Sequence, residues 1–166
     1  MSALAQTPEG ASRFVAERLL STVREDIGRA DTKASILLSA ALALPALLAG
    51  GHPAHGPAGV PGLVLLTVGG LLWFLGGAAL VRAIMPRTRT LRGGDGLTYF
   101  GDLLRPGASL EELAARVAAA GRDQVGWLLV QSVDVSAILA AKYHWIRLGV
   151  ALLTPGAALA TVGLLL

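Results

Sequence analysis

The sequence predicts an all-α integral membrane protein with three transmembrane helices, and three observations predict it. Only 15% of its 166 residues are charged while 54% are apolar, and the mean hydropathy is positive, which is outside the range of an ordinary soluble domain. The apolar residues gather in three runs, residues 34–50, 60–85 and 148–166. No alternating pattern of strand type is visible, whereas the stretches between the runs repeat at helical spacing.

From Ala11 to Lys33, Phe14, Val15, Leu19, Val23 and Ile27 recur on one side of a helix while Arg18, Glu25, Asp26 and Arg29 fill the other. Residues 1–33 are read as a cytoplasmic segment carrying this amphipathic helix. Only Gly28 interrupts it, so it is expected to run into the first span, 34–50, as one rod. That span reaches about 26 Å at 1.5 Å per residue, just enough for a hydrocarbon core of about 30 Å. Pro45 is expected to kink it. A cleaved signal peptide is the alternative, but mostly polar chain precedes the run and no small-residue cleavage pattern follows it, so it is expected to remain as an anchor.

Residues 51–59, a His/Pro/Gly loop, connect to the second span, 60–85, so that 34–85 form a transmembrane hairpin. In segment 86–147, "MPRTRTLRGGDGLTYFGDLLRPGA" reads as an ordered loop with a hydrophobic knot at Leu97, Tyr99, Phe100, Leu103 and Leu104. "SLEELAARVAAAG" then opens with a capping box, Ser109 and Glu112, and stops at Gly121. From Arg122 a further helical pattern places Val125, Leu128, Leu129, Val135, Ile138 and Leu139 on one side and runs through "AAKYHWIRLGV" into the third span, 148–166. The fold expected is therefore a three-span bundle with cytoplasmic amphipathic helices continuous with spans one and three.

All fourteen basic residues lie before the first span or between Arg82 and Arg147, and none lies in the loop 51–59. The positive-inside tendency places the N-terminus and residues 86–147 in the cytoplasm and the C-terminus outside. The eleven acidic residues share those segments, so with a net charge of +3 the chain carries mixed-charge surfaces and no case for nucleic-acid binding.

Catalytic and metal chemistry find no constellation. There is no cysteine. His52 and His55 stand in the external loop without a carboxylate to complete a zinc set, and His144 stands alone beside Trp145. Glu111 and Glu112 are accounted for by a helix N-terminus.

What stands out is charge at the cytoplasmic lip of the spans: Asp31 and Lys33 at span one, Arg82 at span two, Lys142 and Arg147 at span three. An unpaired charge is costly there, and the short Asp31 cannot snorkel. It is expected to face the bundle and meet Lys142, Arg82 or Arg147; the alternative is a place in the headgroup layer beside Arg24 or water. Span two also carries Gly69, Gly70, Gly76 and Gly77, and span three Gly156 with Ala160, small residues at spacings that let helices approach closely. One copy has no polar lining to enclose a channel, so these glycines point to a homo-oligomer.

"RADTKASILLSAALA", "LTYFGDLL" and "ILAAKYHWIRLGV", in this order and spacing, resemble the transmembrane effector family of Pycsar anti-phage defence. The resemblance implies a bacterial inner-membrane protein that responds to cyclic UMP or cyclic CMP, made by a partner pyrimidine cyclase, and then impairs the lipid membrane in abortive infection. No cofactor is implied beyond that activating nucleotide. Such a ligand offers one negative charge and a flat base. Arg87, Arg89, Arg92 and the "GGDG" turn could meet the phosphate, and Tyr99 and Phe100 the base, although packing is the commoner role for such aromatics. The rival class is a small membrane scaffold that binds partners and senses nothing.

Overall fold

A computed structural model describes residues 8–51, 59–85 and 109–166, and four helices occupy nearly all of them: α1 (Pro8–Gly51), α2 (Val60–Ile84), α3 (Leu110–Arg122) and α4 (Gln124–Leu165). No strand occurs among the described residues. Three of the helices, α1, α2 and α4, are long and apolar enough to cross a membrane. As expected, α1 and α4 each continue from a polar stretch into an apolar span without a break, α1 even through Pro45.

Local chemistry sets the ends. Gly59 precedes α2 at φ 105°, a conformation that favours glycine, and Pro61 follows in the first turn, where its missing N–H costs nothing. At the start of α3 the Ser109 hydroxyl accepts the Glu112 N–H at 3.1 Å. The Glu112 carboxylate turns instead to Arg116, 2.6 Å away, so only half of the capping box forms. Asp123 then caps α4, its Oδ1 accepting the Gly126 N–H at 2.9 Å, and a Cβ at Gly126 would collide with that carboxylate.

The chain forms two compact units. The polar unit comprises residues 1–27 and 86–139, and its described core is Ala16, Leu20 and Leu128 with Trp127 and Val135 against it. Here the expected face of α1 is corrected. Phe14, Val15 and Leu19 are exposed, as is Leu129 of α4, while Ala16, Leu20 and Val23 are buried. The buried positions advance in steps of four and three residues, and the side of α1 that packs is set by its neighbour rather than by residue size, since Leu20 is buried and Leu19 is not.

The apolar unit comprises residues 28–85 and 140–166. Ala30, Ala34 and Ala41 continue the buried side of α1, and Leu80 is wholly buried beside Ala41 and Leu153 with Leu37, Leu38 and Trp73 around them. Because Pro45 has no N–H, the Ala41 carbonyl lacks its helical donor; the Trp73 indole N–H supplies one at 3.1 Å.

Candidate functional site

The contact between α2 and α4 is built by two columns of small residues at seven-residue intervals. Gly62, Gly69, Gly76 and Ala83 run up α2, and Gly163, Gly156 and Gly149 run down α4. A Cβ at Gly69 would lie 2.5 Å from the Ala160 backbone nitrogen and 2.8 Å from the Gly156 carbonyl oxygen. One at Gly76 would lie 3.0 Å from the Gly149 carbonyl oxygen, and one at Gly163 would lie 2.8 Å from that of Gly62. The backbones meet directly, which is how helices gain packing energy where no hydrophobic effect separates protein from lipid.

The structure parts the two members of each glycine pair. Gly69 and Gly76 are spent inside the chain, against Gly156, Ala160 and Gly149, whereas nothing lies within 4 Å of a Cβ at Gly70 or Gly77. The glycine pairs read from the sequence therefore lie on two faces, about 100° apart on one helix.

One interval beyond Gly149 the α4 column holds not glycine but Lys142, opposite Ala83. Lys142 is 6% exposed. Its ammonium donates to Asp31 Oδ1 of α1 and, at 3.1 Å, to the carbonyl oxygen of Ala83 in the last turn of α2. That carbonyl has no acceptor duty left within α2, which ends at Ile84, so the lysine of one span caps the C-terminus of another. Taking an ammonium out of water is costly, and here a carboxylate and a carbonyl compensate it. Asp31 keeps 40% of its side chain exposed, so the junction is wet on the α1 side and dry on the lysine side.

The remaining charges at this end of the spans stand outside that junction. Arg82 lies over the Trp145 ring, 6.0 Å from its centre, at the outer limit of a cation–π contact. Lys33 and Arg147 are exposed. Of the three partners open to Asp31 in the sequence, Lys142 is the one that takes it.

Arg87, Arg89, Arg92, Tyr99 and Phe100 lie outside the described residues, as do His52 and His55. Among the described residues no group of His, Cys, Asp or Glu could hold a metal ion. The polar unit contains a cleft of about 690 Å³ between the first turns of α1 and α4, but its Glu9, Arg13, Arg122 and Asp123 balance in charge. Deeper in the same unit are groups that the sequence reading passed over. Arg24 donates to Gln131 Oε1 at 3.2 Å, and Asp134 is 8% exposed with Oδ2 buried and unmatched by any hydrogen bond. The signal for them was the polar cluster Gln131, Ser132 and Asp134 set between the apolar stretches 127–130 and 138–141.

The pattern of the Pycsar effector protein domain matches residues 15–166. The chain belongs to the Pycsar effector family. It is thus an anti-phage defence effector of the membrane, linked in function to a cyclase, and the match takes in the spans, the lysine junction and the polar unit's helices together. No curated protein and no solved structure matches it.

Proposed function

We propose that this effector senses cyclic UMP or cyclic CMP and then impairs the bacterial inner membrane as a homo-oligomer, with no catalytic step of its own. Its N-terminus and residues 86–147 face the cytoplasm, where a partner cyclase releases the nucleotide, and its C-terminus lies outside. The observation that carries this reading is the effector match over residues 15–166, which takes in the spans and the polar helices together and supports a defence effector of the membrane. The one-sided distribution of the fourteen basic residues supports the orientation.

Chemistry supports the ligand class. Arg87, Arg89 and Arg92 follow α2 directly and supply cations for a phosphate, with Tyr99 and Phe100 for a base face. The buried, unmatched carboxylate of Asp134 is an acceptor suited to the N–H groups of a pyrimidine.

Titration calorimetry of the purified chain with cyclic UMP and with cyclic CMP tests sensing. A saturable heat with either, reduced in Arg89→Ala and Asp134→Leu, is expected. No heat with either nucleotide would favour the scaffold reading.

A further inference from the structure

We infer that Lys142 is a lock that holds the three spans in their quiet arrangement, and that its release is what makes the chain active. The inference rests on the proposed membrane action. It starts from a departure in a repeating pattern. A glycine at position 142 would continue the column Gly163, Gly156, Gly149 and let α2 and α4 meet at this end of the spans without the ion pair to α1. The lysine replaces a short contact between two helices with a polar contact among three: its own helix α4, α1 through Asp31, and α2 through the Ala83 carbonyl.

Such a tie has the properties of a switch rather than of plain packing. It is built from two hydrogen bonds to a single cation, so both are lost together once the ammonium withdraws. Asp31 is open to water on one side, which gives the lysine's partner somewhere to go when the pair parts. Beyond it α2 and α4 meet through glycine backbone with Leu80 seated over Gly149 and Leu153 over Gly76, apolar contacts without the fixed geometry of a hydrogen bond, so the lysine is the polar tie that sets how the last turn of α2 sits against α4. Among the described residues no other buried charged side chain occurs within the apolar unit.

Full-length chain in lipid vesicles, free of nucleotide, provides the test through two readings. The first is dye leakage, and the second is hydrogen exchange at the Met85 amide, which donates to the Val81 carbonyl at 3.0 Å in the turn that Lys142 caps. Asp31→Asn and Lys142→Met should each raise leakage roughly tenfold, the shift expected when a resting preference loses one strong contact, and should speed exchange at Met85. The double variant Asp31→Asn with Lys142→Met leaves no unpaired charge and should leak like the singles, which separates release of the lock from failure to fold. Faster exchange without added leakage would overturn the lock and leave Lys142 as packing. Leakage by the variants, with a wild type that answers neither cyclic UMP nor cyclic CMP, would support the lock and refute the nucleotide reading.

Discussion

The Trp73 indole N–H donates to the Ala41 carbonyl that Pro45 leaves without a helical partner. An apolar span cannot leave a carbonyl unmatched in hydrocarbon, so Trp73 and Pro45, 28 positions apart, form one structural unit. Trp73→Phe keeps most of the ring volume and removes the donor. It should cost about 1 to 3 kcal/mol of stability. Adding Pro45→Ala returns a backbone N–H to Ala41 and should recover part of that loss, as read by thermal unfolding in detergent. Strictly additive costs would show that the two sites are independent.

Gly69 and Gly76 should tolerate no enlargement. Gly69→Ala together with Gly76→Ala forces α2 off the α4 backbone and should destabilise the chain by about 1 to 3 kcal/mol per site, the usual cost of overpacking. Gly70→Leu with Gly77→Leu should leave folding and insertion unchanged, because nothing lies near those positions. If the outward pair is the contact between copies, the same double variant abolishes crosslinked oligomers. Unchanged crosslinking removes that face of α2 from the assembly.

These glycines also mark how far the sequence could be read. Length and hydropathy identify three spans, and the absence of proline, with Gly28 the one interruption, between Ala11 and Lys33 makes α1 one rod, because both are properties of a single helix. Which side of a helix meets which neighbour is a property of pairs. Gly69 and Gly70 are equally small, and only the position of Gly156 and Ala160 distinguishes them. On the first helix Leu19 and Leu20 are equally large, and of the face read from the sequence Val23 is buried whereas Phe14, Val15 and Leu19 are exposed and Ala16 and Leu20 take their place. The charges at the lip were legible as a group because charge beside an apolar run needs a partner. The choice of Lys142 for Asp31 followed from the seven-residue register of α2 and α4, which no single run of sequence displays.

Exchanging the charges tests that choice. Asp31→Asn or Lys142→Gln should each cost about 1 to 3 kcal/mol, between the values for exposed and buried pairs, since Asp31 is partly exposed. Asp31→Lys with Lys142→Asp restores attraction but not the bond to the Ala83 carbonyl, because a carboxylate cannot donate. Recovery should therefore be partial in both thermal stability and toxicity. No recovery would mean that the pair contributes nothing and that the Ala83 bond is the whole contact.

The orientation can be read with single cysteines, since the chain has none of its own. A cysteine placed at His55 should react with a membrane-impermeant thiol reagent in intact spheroplasts, and one placed at Arg116 should react only after lysis. The reverse pattern would invert the topology and put the polar unit outside.

The decisive measurement is leakage from vesicles that contain the purified wild-type chain, recorded as cyclic UMP and cyclic CMP are added against cyclic AMP, cyclic GMP and linear UMP. Release of trapped dye with at least one of the two cyclic pyrimidine nucleotides, and with none of the controls, is the predicted result. Vesicles that stay sealed with both while the protein is folded and inserted would contradict a nucleotide-triggered membrane effector.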